Sequence, residues 1–181
     1  MGVGISARDE IVWRRGISPD NCFQRRGKEV RYWEDFAVGD SVELGPYPVS
    51  EAELLDFSGR FDPQVFHTEP THPRTYALGG LLASGWHTGA IFMRMAVDAL
   101  LGDTAVLLSP GIDRLRWLAP VHPGDVLSGT MTVEDLRASR SKPDRGIMLS
   151  DVVVKNDAGV TVMTLQTTSF IATRPEVSEP Q

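Results

Sequence analysis

The sequence is poor in cysteine, with Cys22 the only one among 181 residues. A single cysteine excludes a disulfide within the chain and a cysteine metal cluster, and it is compatible with a reducing cytoplasm. Residues 1–29 lack the apolar core of a signal peptide, and no run of about eighteen apolar residues occurs anywhere. We therefore expect a cytoplasmic protein without a membrane span.

An excess of positive charge is missing too, since the formal net charge is -6. Binding nucleic acid needs a basic face, so we expect no nucleic-acid partner. Hydrophobic residues make up 41% and charged residues 23% of the chain, which is the balance of an ordinary soluble globular domain. A strongly anionic ligand would therefore need a local basic patch.

The pattern of the chain predicts one domain with two extensions. Residues 1–29 show no sustained period and are interpreted as an arm on the surface or on a partner subunit. Two arginine pairs in this arm leave a basic binding segment as the alternative. Residues 30–174 should form the domain, and the tail at 175–181, rich in Pro and Glu, should be loose.

Two helices stand out by their apolar spacing. Ser50, with Glu53 three residues later, predicts a capping box for a helix whose apolar face ends at Phe61. The segment Ser84–Leu101 is apolar on nearly every side, so that helix should be enclosed. Between them the chain is irregular, with one short helix expected near Pro73–Ala77.

Most of the remaining sequence predicts strands. A short strand should run through Val42 and Leu44, and the later segments are rich in Val, Ile, Thr and aromatic residues. These later strands are Ala105–Leu108, Ile112–Leu118, Val126–Arg137, Ile147–Lys155 and Val160–Ala172. A curved antiparallel sheet wrapped around one long apolar helix satisfies this inventory, which is the α+β hotdog architecture. Trp117 and Met131 should lie in or near its core.

One candidate for chemistry is the pair Asp62 and His67, a carboxylate and an imidazole at the end of the capped helix. Such a pair can hold one water and move protons to and from it. The spacing is common by chance, and an aspartate that caps a turn beside a packed histidine is the structural alternative.

The second candidate is the glycine-bearing turn that enters the apolar helix. N–H groups of a first helical turn are unpaired and lie at the positive end of the dipole, so Gly85 could stabilise an oxyanion. Gly80, Ser84, Trp86 and His87 are the nearby candidates for binding substrate. The alternatives are a plain helix start capped by Ser84 and a hydrogen-bonded core histidine at position 87.

These two stretches in this order resemble the MaoC-like dehydratase family, which includes (R)-specific enoyl-CoA hydratases. Further matching features are Trp33-Glu34-Asp35-Phe36, Val38-Gly39-Asp40, the turn at 120–125 and the hairpin at 139–146. The glycine lies eighteen residues after the histidine, as in the family. Two details depart from it: Pro63 follows the aspartate where an Asn-Pro often precedes the histidine, and Ser84 stands where histidine is common.

The resemblance implies a hotdog hydratase or dehydratase of an acyl thioester. In it Asp62 and His67 activate water for C3 and deliver a proton to C2, and the Gly85 N–H holds the enolate-like oxygen. The expected partners are acyl-CoA or acyl carrier protein thioesters and a second copy of the chain in a homodimer or larger homo-oligomer. No cofactor is expected besides the coenzyme A of the substrate. The alternatives are a hotdog acyl-CoA thioesterase and a non-catalytic acyl-binding partner subunit.

A few other residues invite functional interpretations. Arg140, Lys142 and Arg145 in the hairpin could meet the phosphates of coenzyme A, although a solvated loop is the default. His72 lies five residues after His67, so the two do not form a helical i, i+4 histidine pair, and no metal site is expected. The glycine directly after Ser84 breaks the nucleophile-elbow pattern, so a serine nucleophile is not expected there either.

Overall fold

A computed structural model describes residues 29–175 of the chain. The arm predicted over residues 1–29 and the tail predicted over 175–181 lie outside this range, apart from Glu29 and Pro175, and both stay predictions. In the described range the chain forms one five-stranded antiparallel sheet and four helices.

The helices lie in the chain between the first strand and the other four. The strands are β1 (Ser41–Pro48), β2 (Val106–Trp117), β3 (Val126–Ala138), β4 (Arg145–Lys155) and β5 (Thr161–Ala172). The helices are α1 (Glu51–Phe61), α2 (Val65–Thr68), α3 (Pro73–Ala77) and α4 (Gly85–Ala99), with short 3-10 turns at Trp33–Asp35 and Leu101–Asp103. The predicted helix at Pro73–Ala77 is confirmed, whereas α2 lies in a segment predicted to be irregular.

The sheet has the order β1-β3-β4-β5-β2. The last three strands form the predicted antiparallel meander. The strand β2, which precedes them in the chain, pairs with the edge of β5 that faces away from β4. The prediction of two separate strands before β3 is wrong, because β2 runs through the Ser109-Pro110-Gly111 segment with a shift of register between Leu108 and Gly111. An edge strand tolerates a proline because one of its sides needs no backbone donor.

The core lies between the sheet and α4. Alternate residues of β4 are buried, among them Met148, Val152 and Val154, and they share one apolar cluster with Phe92 and Met95 of α4. One face of the sheet therefore covers the apolar helix, as expected, and the alternating burial along β4 follows from the period of two in a strand. Met131 is buried as predicted, and the α+β hotdog architecture is confirmed.

Two expectations about burial are wrong for the described subunit. The helix α4 is not enclosed, because Trp86 is 63% and Met93 41% exposed. Trp117, expected in or near the core, is 46% exposed at the end of the edge strand β2. Since no described element lies beyond this edge strand, the adjoining side of α4 stays open.

The helix α1 begins as the sequence predicts, with one change. The Ser50 hydroxyl accepts a hydrogen bond from the Glu53 N–H at 3.2 Å, the first half of the capping box. The Glu53 carboxylate, however, accepts a 2.6 Å bond from the Tyr47 hydroxyl, which the end of β1 brings beside it. None of the helices in residues 29–175 has both the length and the hydropathy needed to cross a bilayer.

Candidate active site

Three elements meet at the candidate site: the end of α1, the short α2 and the start of α4. Asp62 is the residue that caps the C-terminus of α1, His67 lies on α2, and Ser84 caps the N-terminus of α4. The Leu82 N–H donates a 3.0 Å bond to the carbonyl of Phe66 and fixes the last two elements to each other. The two stretches predicted separately from sequence therefore lie together.

The imidazole of His67 is buried and held by the backbone. Its Nδ1 lies 2.8 Å from the carbonyl oxygen of Leu82, and because a carbonyl only accepts, Nδ1 carries the hydrogen. Its Nε2 faces the Asp62 carboxylate, 3.5 Å from Oδ2. In the neutral ring this places two acceptors opposite each other, an arrangement that suits a water able to donate to both.

The carboxylate of Asp62 is fixed by two side-chain donors. The Ser84 hydroxyl donates to Oδ2 at 2.6 Å, and the Gln64 amide donates to Oδ1 at 2.8 Å. The Ser84 bond is the main cause that lowers the pKa of Asp62 below its ordinary value; burial opposes it, and Gln64 and His67 add to the lowering. The carboxylate is therefore ionised at neutral pH and held in one orientation.

The hydroxyl of Ser84 links this carboxylate to the start of α4. It is fully buried and accepts from the Trp86 N–H at 3.3 Å while it donates to Asp62. A hydroxyl has one hydrogen and two lone pairs, so both bonds can exist together. The structure thus places Ser84 as a support for Asp62, in addition to its role as helix cap.

Gly85 is the first residue of α4, where a backbone N–H has no partner within the helix and the dipole is positive. A Cβ at this position would lie 2.5 Å from the indole ring of Trp117, so the close approach requires glycine. A cavity of about 310 Å³ opens here, lined by Gly85, Trp117 and residues 118–121 among others. The candidate site thus combines a carboxylate–imidazole pair and a polarised N–H.

The other three residues predicted near the turn lie in different surroundings. Gly80 has a φ of +118° and its N–H bonds to the Thr75 carbonyl at 3.0 Å, so it shapes the turn after α3. Trp86 is exposed and packs edge-to-face on Trp117, with ring centroids 5.3 Å apart. His87 is buried and lines a second cavity along α4.

The basic hairpin lies at the other end of the sheet. Trp117, beside Gly85, pairs with Met163 of β5, whereas Arg145 pairs with Ala172, nine residues farther along that strand. At about 3.3 Å per residue the separation is roughly 30 Å. Arg145 forms two bonds with Asp144, at 2.7 and 2.8 Å. Arg140 and Lys142 lie exposed in this hairpin, so the structure does not bring the three together with Asp62.

Residues 29–175 contain no group of three or more His, Cys, Asp or Glu side chains that could hold a metal ion. His72 caps α3 by accepting the Arg74 N–H at its Nδ1, 3.2 Å away. This bond gives His72 a structural role at the helix start.

Sequence reasoning missed three contributors to the site. Gln64 lies two residues after Asp62 and reaches the carboxylate across a tight turn, a local signal that was available. The Leu82 carbonyl and the Trp117 ring come from positions far from His67 in the chain. Only the fold brings them there, so no local pattern could have found them.

Comparison with known proteins gives a family match and several similar folds. Residues 35–156 match the MaoC-like domain family. The MaoC-like dehydratase of Rhodospirillum rubrum is 36% identical, with a TM-score of 0.72 and coverage of 80% of this chain and 99% of that chain.

Two further structures share the fold at lower identity. The R-hydratase PhaJ1 of Pseudomonas aeruginosa is 22% identical, with a TM-score of 0.61 and coverage of 83% of this chain and 93% of that chain. A Mycobacterium tuberculosis protein with a double hotdog fold is 15% identical, with a TM-score of 0.67 and coverage of 83% of this chain and 47% of that chain. The architecture is therefore that of hotdog proteins.

Proposed function

This chain belongs to the MaoC-like domain family, and on that premise we propose that it is a hydratase or dehydratase of enoyl and 3-hydroxyacyl thioesters. The observation that carries the proposal is the Asp62–His67 pair at 3.5 Å beside the first N–H of α4. A thioester placed with its carbonyl at Gly85 would present its C2–C3 double bond to the pair.

The water step follows from the tautomer of His67. Because the Leu82 carbonyl holds the hydrogen on Nδ1, Nε2 and the Asp62 carboxylate can each accept a hydrogen from one water. The water oxygen attacks C3 of the enoyl group, and its proton passes to the pair, which acts as general base.

The second half of the reaction returns a proton to carbon. Attack at C3 moves the π electrons towards the thioester oxygen, which becomes enolate-like. The Gly85 N–H and the positive end of the α4 dipole stabilise that charge. C2 then takes a proton from the pair, so one water has been added in total, and dehydration is the reverse sequence.

The substrate proposed is the thioester of coenzyme A, with acyl carrier protein as the other possible carrier. The hydratase chemistry needs no redox step, since water supplies both added groups. The likeness to the R. rubrum MaoC-like dehydratase at 36% identity supports a dehydratase, and the R-hydratase neighbour shares its fold.

The test is to incubate the purified protein with crotonyl-CoA and follow the absorbance of the conjugated enoyl thioester. We expect the band to disappear with the wild-type protein and to persist with Asp62→Asn. Glu51→Gln serves as a matched control, because Glu51 is an exposed carboxylate at the other end of the same helix and should leave the rate unaltered.

Further assays on the same purified protein distinguish the rival functions. A thioesterase would release free thiol from a saturated acyl-CoA, which a thiol reagent detects. A non-catalytic acyl-binding subunit would be stabilised against heat by acyl-CoA without turning over short, long or branched enoyl-CoAs. Either result would replace the hydratase proposal.

We also propose that two copies of the chain pair along β2 and α4. The exposed residues Trp86 of α4 and Ile112 of β2 line an open groove of about 490 Å³. Trp117 and Leu118 are exposed at the end of the same strand. An exposed strand edge with a contiguous apolar patch is a typical pairing surface, and a second copy would bury both. Ile112→Glu should convert the dimer to a monomer in light scattering, and a monomeric wild-type protein would contradict the proposal.

A further inference from the structure

A second cavity begins next to the candidate active site and is not used by the mechanism above. It has a volume of about 330 Å³ and lies between α1, α4 and the end of β1. Phe61, directly before Asp62, lines it on one helix, and His87, two residues after Gly85, lines it on the other. An acyl chain that extends from the catalytic pair along these helices would enter this cavity.

The cavity extends well away from the pair. Its lining includes Glu53, nine residues before Asp62 on α1, and Arg94, nine residues after Gly85 on α4. At about 1.5 Å per helical residue, both lie roughly 13 Å along their helices from the site. The far end of the cavity is therefore at the distance that an acyl chain reaches beyond its reacting carbons.

The polar groups of the cavity gather around the Glu53 carboxylate, which reaches back to His87, although the core around them is apolar. The Tyr47 hydroxyl donates to Glu53 Oε1 at 2.6 Å, and His87 Nε2 lies 3.5 Å from the same oxygen. The His87 ring is 2% exposed and stacks on Phe57 with centroids 4.8 Å apart. Among the described residues neither of its ring nitrogens has a hydrogen-bond partner. Buried polar atoms are almost always paired, so the cluster has hydrogen-bonding capacity that a ligand group could use.

The hydrogen positions follow from the neighbours of His87. Burial lowers the pKa of His87 below its ordinary value and the adjacent Glu53 only partly opposes this, so the ring is neutral at neutral pH. Nε2 faces a carboxylate and therefore carries the hydrogen, which leaves Nδ1 as an acceptor. The Tyr47 oxygen, whose hydrogen points to Glu53, can accept as well. The cluster thus mainly accepts hydrogen bonds.

Charges around the cavity are balanced. Arg60 lies 3.7 Å from Asp56, and Arg94 bonds to Asp98 at 2.6 Å, each across one turn of helix. Each of these cations already has a carboxylate partner, and Glu53 adds a further acidic side chain, so the cavity offers no unpaired cation to an additional carboxylate. An uncharged group that can donate a hydrogen bond fits best.

We propose that this cavity binds the distal end of the acyl group and that the enzyme prefers enoyl thioesters with a hydroxyl at that end. The inference rests on the hydratase function proposed above and adds its substrate class. The groove beside α4 is the other route for an acyl chain, but it is lined by apolar residues such as Phe92 and Leu165 and is assigned to the second copy.

The experiment compares kcat/KM for enoyl-CoAs of equal chain length that end in a methyl, a hydroxyl or a carboxylate group. The hydroxyl substrate should exceed the methyl substrate by at least about 10-fold, because a site that bonds a hydroxyl discriminates against its absence. Tyr47→Phe should reduce this ratio several-fold. Tyr76→Phe makes the same change at an exposed tyrosine of α3 and should keep the wild-type ratio.

Each outcome decides one question. If the methyl or the carboxylate substrate equals or exceeds the hydroxyl substrate, the inference is wrong while the hydratase function stands. An equal loss of the ratio in Tyr76→Phe would also overturn it, because the cavity would then not be its source. If none of the three substrates is hydrated, the hydratase function fails, and the inference fails with it.

Discussion

Two imidazole–carboxylate pairs occur within the same helical layer at the same separation. Nε2 of His67 lies 3.5 Å from Asp62, and Nε2 of His87 lies 3.5 Å from Glu53. Both rings are buried, with exposures of 7% and 2%. Separation and burial alone therefore do not say which pair does chemistry.

The surroundings of the two pairs differ in ways that matter for catalysis. The Leu82 carbonyl fixes the hydrogen of His67, and Ser84 and Gln64 fix the orientation of Asp62. The Nδ1 of His87 has no such partner in the described chain. Proton transfer needs groups held in one geometry beside a stabiliser for the developing charge, and only the first pair has both.

The largest expected effect comes from the same substitution at both histidines. His67→Phe should lower kcat for a short enoyl-CoA by about 10²–10⁴-fold, the usual contribution of a general acid–base group. His87→Phe keeps a ring against Phe57 and should lower it by less than about 10-fold, since it removes no proton-transfer group. Initial-rate assays of both variants measure these kcat values. A larger loss of kcat in His87→Phe than in His67→Phe would mean that the catalytic role has been assigned to the wrong pair.

A second test concerns the helix start that only the first pair adjoins. Gly85→Ala would drive a methyl group into the Trp117 ring, and overpacking of this kind costs about 1–3 kcal/mol of stability. Gly59→Ala, a helical position with open space around it, should instead stabilise the protein by roughly 0.5–1 kcal/mol. Denaturant unfolding measures both, and an unaffected Gly85→Ala protein would show that Trp117 does not close on the glycine.

The support of Asp62 should reveal itself through pH. The hydrogen bond from Ser84 lowers the pKa of Asp62, so its stabilisation exists above the ordinary aspartate pKa and is lost as the pH falls through the lowered one. Ser84→Ala should cost about 2 kcal/mol at neutral pH, the value of a hydrogen bond to a charged group.

Measurements at acidic pH separate the stability that this hydrogen bond contributes from the stability of the helix cap, which Ser84 also provides. The difference between wild type and Ser84→Ala should shrink as Asp62 becomes protonated, and at neutral pH it should be smaller in the Asp62→Asn background. A difference independent of pH in both backgrounds would assign the whole cost to the cap.

The smallest effect is expected at the basic hairpin, which is distant from both pairs within the subunit. Contact with the phosphates of coenzyme A remains a prediction for Arg140, Lys142 and Arg145. Lys142→Ala should raise KM about twofold at low salt and leave it unaltered at high salt, because an exposed charge is screened. A KM that does not respond at low salt would leave the hairpin without a part in binding.

Local patterns were sufficient for most elements of this fold. Short-range signals predicted the Ser50 cap, the helix at Pro73–Ala77 and the strand at Ile147–Lys155, and the structure confirms each. The failures concern long-range placement. Ser109-Pro110-Gly111 has the composition of a turn, but at a sheet edge it continues a strand with a shifted register.

The candidate site shows the same contrast between what local sequence predicts and what long-range placement decides. Asp62, His67 and Gly85 were found because their order matches a family motif, and the structure brings them together. Their supports were found only partly, since Ser84 was predicted as a cap and a substrate contact but not as the donor to Asp62. Trp117 was predicted to be buried, and its half-exposed position over Gly85 depends on β2 lying at the edge. Such contacts depend on pairings that no local window contains.

The most direct test of the central claim is to run the reaction on crotonyl-CoA in deuterated water and observe the product by NMR. If the Asp62–His67 pair hydrates the double bond, the wild-type protein gives 3-hydroxybutyryl-CoA with a single deuterium at C2, and Asp62→Asn gives none over the same time. Formation of this product by Asp62→Asn at the wild-type rate would contradict the assignment of the pair.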